Sequence, residues 1–201
     1  WIRQNAEKVR KLSGGRLGYV HIKSMDDASF RTVYSDILGR YNNCDGIVID
    51  TRFNGGGRLH EDIEVLFSGN KYLTQEIRGK DACDMPSRRY NKASIMIIGE
   101  ANYSNAHGTP WVYKHKNMGL LVGKPVPGTM TAVWWENQID PTIVFGIPQV
   151  GAIAVKEGRY LENMQIEPDI LVYNDPASVL RGEDKQLEAA VTEMLKTIDN
   201  K

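Results

Sequence analysis

The order of apolar and polar positions divides the chain into alternating helical and extended segments. Residues 1–12 place Ile2, Val9 and Leu12 near helical spacing, and Ser13-Gly14-Gly15 closes that helix. Residues 16–22 alternate as a strand, with Leu17, Tyr19 and His21 on one face and Val20 and Ile22 on the other. Asp26 and Asp27 introduce a helix over 28–41, whose inner face holds Phe30, Val33, Tyr34, Ile37 and Leu38. Within 46–52, Ile47-Val48-Ile49 is a continuous apolar run, as expected of a parallel strand covered on both faces. Residues 59–67 read as a helix with Leu59, Ile63, Leu66 and Phe67 inward and His60 toward solvent. The segment 68–92 is polar, rich in turn residues and holds Arg78, Arg88 and Arg89; it reads as a surface loop able to line a groove. A second apolar strand, 93–98, leads through a turn to a helix ending near residue 117, then to the short strand Leu120-Leu121-Val122. From 129 to 155 an alternating pattern with Trp134, Trp135, Ile143, Phe145 and Ile147 predicts antiparallel hairpins. Residues 161–170 cross back toward the core. A last helix opens at Asp184-Lys185-Gln186-Leu187 and buries Leu187, Ala190, Val191, Met194 and Leu195.

Strand–helix alternation across 16–125 predicts an α/β layered fold with a largely parallel sheet. The 201 residues suffice for one large domain or two small ones, and no repeat, low-complexity stretch or linker divides them. Lys plus Arg and Asp plus Glu are 25 each, and this zero balance argues against a nucleic-acid partner. No run approaches the roughly 18 apolar residues that cross a bilayer. The opening Trp1-Ile2-Arg3-Gln4 is an amphipathic helix start and not a signal peptide; a chain that begins with Trp is expected to be a fragment or processed product, so the compartment stays open. Cys44 and Cys83 fit no metal spacing and allow either one disulfide or two free thiols. No metal or cofactor is expected.

Two turns carry the candidate chemistry. The strand at 46–52 empties into Asn54-Gly55-Gly56-Gly57, where three glycines let the backbone approach a ligand and turn its N–H groups outward. No Gly-Lys-Ser/Thr follows, so a nucleotide loop is unsupported; an oxyanion hole and an ordinary turn remain. The strand at 93–98 ends in Gly99 and a polar turn that delivers Ser104 to the start of a helix. Strand, sharp turn, serine and helix is a layout that exposes a nucleophile, but serine is equally a good helix N-cap.

Five motifs stand in one order: Leu17-Gly18-Tyr19-Val20-His21-Ile22; Ile47-Val48-Ile49-Asp50-Thr51-Arg52 with Asn54-Gly55-Gly56-Gly57; Ser104 with Pro110; Leu121-Val122-Gly123-Lys124; and Leu161-Glu162-Asn163 with Pro168-Asp169. Together they resemble the catalytic core of the tail-specific (C-terminal processing) serine peptidases, most of all the tricorn protease branch, over nearly the whole chain. The resemblance implies a Clp protease/crotonase-like spiral α/β core with an antiparallel hairpin region, and residues 1–201 as one C-terminal catalytic domain. It implies Ser104 as nucleophile, Gly57 and the Asn105 amide as oxyanion donors, and Glu162 as the carboxylate that orients a catalytic histidine. Gly56 and Thr74 are the substrate-facing positions it suggests. The implied substrate is a peptide or unfolded polypeptide. It also implies a homo-oligomer, with Trp134 and Trp135 as a subunit contact or a core pair, and a cytoplasmic location, with an extracytoplasmic one as the alternative.

The sequence departs from the pattern at three points. The Ser-Lys members carry their lysine 25 residues beyond the serine, where this chain has Thr129; Lys124 is the strand-end lysine and not a base. The tricorn branch uses a histidine that precedes an inserted PDZ domain, so the base is expected upstream of this chain. None of His21, His60, His107 or His115 aligns with it, although His107, three residues past Ser104, shares a helix face with it. The acidic residue that attracts basic P1 side chains in tricorn proteases falls at Thr74, with Glu76 nearby, so trypsin-like preference is not carried over. An endopeptidase core is thus expected, inactive or nearly so alone. A catalytically inactive peptide-binding or assembly domain and a crotonase-like acyl-CoA enzyme are the alternatives.

Overall fold

The two continuous apolar runs form the centre of a sheet. In the computed structural model, which describes residues 1–200, β1 (Leu17–His21), β2 (Gly46–Asp50), β5 (Ala93–Ile98), β6 (Leu121–Gly123) and β11 (Ile170–Leu171) lie side by side in the order β1-β2-β5-β6-β11. Every neighbouring pair is parallel. All five residues of β2 are buried, as a strand covered on both faces requires.

Side chains alternate across this sheet and build two cores. Val20, Ile22, Ile47, Ile49, Met96 and Ile98 face α2 (Asp27–Ser35), α3 (His60–Phe67) and α4 (Asn105–His115). Leu17, Tyr19, Val48, Ile95 and Ile97 face α1 (Ile2–Leu12) and α6 (Lys185–Asp199), which contribute Val9, Leu187, Ala190, Val191 and Met194. The expected α/β class with its parallel sheet therefore holds, and the predicted split of β1 between two faces is the split observed. In α1 only Val9 of the expected apolar trio is buried, since Ile2 and Leu12 are exposed.

Two elements differ from the sequence reading. The helix expected over 28–41 is α-helical only to Ser35 and continues as a π-turn over Asp36–Arg40, after which the Tyr41 ring packs against Gly18. Residues 68–92 are not a loop throughout: β3 (Leu73–Ile77) and β4 (Lys80–Met85) pair antiparallel. Their turn, Arg78-Gly79, takes positive φ at both residues (52° and 76°), the geometry that suits two-residue hairpins. Both strands are largely exposed, their apolar Leu73 and Ile77 included, so no buried face marks them in the sequence.

The expected hairpin region is present as β7 (Ala132–Asn137) with β8 (Val144–Val150), followed by β9 (Ile153–Ala154) with β10 (Arg159–Tyr160). Trp134 and Trp135 are both largely exposed, which removes the reading of a buried pair. The short α5 (Pro176–Leu180) precedes α6. Among the described residues no helix is long and apolar enough to cross a membrane. Because β2 and β5 are parallel neighbours, the loops at their carboxyl ends lie together, and these loops carry the two candidate turns.

Candidate active site

The glycine turn after β2 is built from below. Arg52, only 4% exposed, reaches Asp50 (Nη2–Oδ2 2.6 Å) and Asp184 (Nη2–Oδ2 2.9 Å) and donates to the Gln186 side chain at 3.0 Å. Burial works against the guanidinium charge, but Asp50 and Asp184 outweigh it and raise its pKa further. The Arg52 carbonyl contacts His21 Nε2 at 3.0 Å, and the His21 ring packs edge-on against Trp1, so His21 serves as a packed strand residue.

Asn54, fully buried, shapes the next step. Its Nδ2 donates to the Ile22 carbonyl at 2.8 Å, its Oδ1 accepts from the Gly56 N–H at 2.9 Å, and its carbonyl accepts from the Tyr103 N–H at 3.0 Å. One side chain thus closes the turn and ties it to β1, while the backbone ties it to the loop before Ser104. Gly56 and Gly57 have φ of 96° and 137°, and a Cβ on Gly57 would lie 2.2 Å from the Met25 carbonyl oxygen. Only glycine fits there.

Ser104 sits against this turn. A Cβ on Gly56 would lie 2.7 Å from Ser104 Cβ and 3.2 Å from the Asn105 backbone nitrogen. The structure therefore brings Gly56, Gly57, Ser104 and Asn105 together. Among the described residues, neither the Gly57 nor the Asn105 N–H donates a hydrogen bond. Ser104 has φ 56° and ψ −122°, a conformation that costs a non-glycine residue on the order of 1–3 kcal/mol and concentrates at functional sites. It occupies the N-cap position of α4, yet its side chain makes no capping bond. The N-cap explanation of this serine fails on that point.

Glu162 reaches the same neighbourhood through the chain after Gly128. Its Oε2 accepts from the Met130 N–H at 2.8 Å and the Thr131 N–H at 2.7 Å. Thr129, just before them, accepts from the Ser104 N–H at 3.4 Å. Partial burial alone would raise the Glu162 carboxyl, but the Thr131 and Met130 amides outweigh it and hold the group below the usual glutamate range. Glu162 is thus a carboxylate held on the two amides that directly follow Thr129, a neighbour of Ser104.

Among the described residues no histidine side chain bonds to Ser104; only the His107 backbone N–H does, donating to the Ser104 carbonyl at 2.8 Å. His107 is fully buried, with Nε2 on the Met164 carbonyl at 2.8 Å, and burial pushes its pKa below the ordinary value. His115 stacks on Trp111 at 4.6 Å. His60 is not turned to solvent as its helical position suggested: it is half-buried, with Nδ1 2.7 Å from Asn105 Nδ2. Thr74 finds its partner within its own hairpin, donating to Asp84 at 2.9 Å, and does not join the Ser104 cluster through any hydrogen bond. Cys44 and Cys83 are free thiols. Among the described residues no cluster of His, Cys, Asp and Glu could hold a metal ion.

A cavity of about 860 Å³ lies beside these turns, and Ser104 is not among its lining residues. Phe53 and Gly99–Ala101 line it from the same two loops, with Trp1 against Phe53 and Lys124 on Glu100. Sequence reasoning missed Asn54, Thr129 as a neighbour of Ser104, and His60. An Asn directly before a glycine run was a readable sign of a side-chain-closed turn.

A family profile described as "Peptidase family S41" matches residues 16–172, which include both turns and Glu162. The chain belongs to this family. A "Tricorn protease homolog" of Saccharolobus solfataricus is 27% identical over 202 residues, covering 98% of this chain and 18% of that protein. The crystal structure of the tricorn protease superposes with a TM-score of 0.88 at 23% identity, over 99% of this chain and 19% of that one. Mature CPAF matches with a TM-score of 0.71 at 15% identity, over 92% of this chain and 52% of that one. At such identities these superpositions establish the S41 fold and nothing further. The chain spans about a fifth of the length of the tricorn relatives it matches.

Proposed function

We propose that this S41 chain is the nucleophile-bearing core of a serine endopeptidase that cleaves peptides or unfolded polypeptide. In this reading Ser104 Oγ attacks the scissile carbonyl carbon, and its proton passes to a histidine supplied by sequence outside these residues. The carbonyl oxygen, now an anion, accepts hydrogen bonds from the Gly57 and Asn105 N–H groups. Glu162 orients the histidine and offsets its charge. The amine leaves with the transferred proton, and water then hydrolyses the acyl-enzyme through the same anionic intermediate.

The observation that carries this reading is the juxtaposition at Gly56: the strained Ser104 and the unoccupied Asn105 N–H lie against the glycine turn whose next residue is Gly57. Catalysis by backbone donors needs this arrangement fixed before substrate arrives. A Ser-Lys mechanism finds no support, because the residue at the lysine's expected place, Thr129, has no basic group and contacts Ser104 through its hydroxyl. The family and the protease names of the relatives support the reaction class.

The test is labelling by a fluorophosphonate of the polypeptide extended upstream to include the histidine, beside its Ser104→Ala variant. Labelling that disappears in the variant is the expected result. An unlabelled extended protein would instead favour a peptide-binding or assembly domain without catalysis.

A further inference from the structure

Asn105 does more than present its own N–H. It is the first residue of α4, its exposure is 7%, and its side chain spends every polar atom on α3. Oδ1 accepts from the Leu59 N–H at 2.8 Å and the His60 N–H at 2.9 Å. Nδ2 lies 2.7 Å from His60 Nδ1. The two backbone donors fix which end of the amide is oxygen, so Nδ2 is a donor and His60 Nδ1 is the acceptor. The His60 proton is therefore on Nε2.

These contacts answer a need of α3. Leu59 stands at its N-cap position and brings no side chain able to cap it. The helix begins immediately after the glycine turn, and an apolar residue at this place leaves its first N–H groups without a local acceptor. Asn105, more than forty positions along the chain, supplies that acceptor. Gly57 lies only two residues before Leu59, with the intervening Arg58 N–H held on the Met25 carbonyl at 2.7 Å.

We infer that the Asn105 side chain and His60 form a clasp that sets the distance between the Gly57 and Asn105 N–H groups. The residue carrying one donor is fastened by its side chain to the helix that starts just past the other. The nucleophile loop and the glycine turn then move as one body. Asn105 and His60 are positioning residues in this scheme, acting through the two donors, and the inference rests on the peptidase reading above.

The experiment compares Asn105→Ala, Asn105→Asp, His60→Ala and His60→Asn in the upstream-extended protein. The readout is fluorophosphonate labelling resolved into the saturating rate and the half-saturating concentration, below the melting temperature of each variant. Loss of a whole donor costs about 100- to 1,000-fold, so a misplaced pair is expected to slow the saturating rate about 10- to 100-fold in Asn105→Ala. The half-saturating concentration stays within about twofold, because ground-state binding does not use the donors. Asn105→Asp keeps the acceptor for both N–H groups and retains most of the rate. His60→Ala slows it by a few-fold, and His60→Asn restores it, since the new Oδ1 takes the place of Nδ1. An unchanged saturating rate in Asn105→Ala would overturn the clasp while leaving the peptidase reading intact. If Asn105→Ala does not fold, equal rates in His60→Ala and the unmodified protein would overturn it. No labelling of the unmodified protein would overturn both.

Discussion

Gly56→Ala tests whether the contact at the centre of the site is what keeps the two turns in register. The added Cβ would sit 2.7 Å from Ser104 Cβ and 2.7 Å from the Tyr103 carbonyl oxygen, about an ångström inside ordinary contact. Neither neighbour is the free end of a flexible side chain, so the glycine turn and the nucleophile loop must separate by roughly that amount. Alanine must also adopt φ 96°, which adds on the order of 1–3 kcal/mol of strain. For a domain of this size each kcal/mol moves the melting temperature by about 2–4 °C, so a fall of roughly 2–12 °C follows. A misplacement of about 1 Å at a reacting centre costs about 100-fold in rate, equivalent to about 2.7 kcal/mol. Fluorophosphonate labelling and thermal denaturation of the upstream-extended protein measure the two effects separately. A folded variant that labels at the unmodified rate would refute the close approach of Ser104 to the glycine turn.

Two other predictions concern the frame around the site. Arg52→Met leaves the Asp50 and Asp184 carboxylates without their guanidinium, and breaking such a buried pair costs about 3–5 kcal/mol, or roughly 6–20 °C in melting temperature. Differential scanning calorimetry checks this, and a shift under about 2 °C would show that the network contributes little. His107→Gln tests pH dependence. Burial lowers the folded-state pKa of His107 below 6.5, so between those values the unfolded chain binds the proton and the folded chain does not. Stability from this group is full above about pH 6.5 and is lost as pH falls toward the folded value. Glutamine can still donate to the Met164 carbonyl but does not titrate, so its melting temperature falls less steeply from about pH 7.5 to 5. Parallel curves for the two proteins would count against this account.

Much of the frame was legible because burial leaves its mark residue by residue. Ile47-Val48-Ile49 and the apolar run at 93–98 could be buried only on both faces, and they are the two central strands. The β3–β4 hairpin was not legible, since strands exposed on both faces carry no period-two apolar signal. His60 reads as solvent-facing because polar residues on an amphipathic helix usually lie on its outer face, and nothing local announces a partner from another helix.

The sequence by itself determined the buried strands, most of the helices and the glycine turn after β2, because these depend on each residue's own backbone freedom and its need to leave water. It also placed Ser104 and Gly57 in a recognisable order. Only the tertiary structure decided that the Ser104 side chain does not cap the helix. A serine before a helix has the same local sequence whether it caps or not, and the positive φ with an unused side chain separates the cases. The same holds for Asn105, whose three contacts reach residues about forty-five positions away. Such partners meet because β2 and β5 are neighbours in the sheet, and that adjacency follows from burying both cores at once rather than from any local preference.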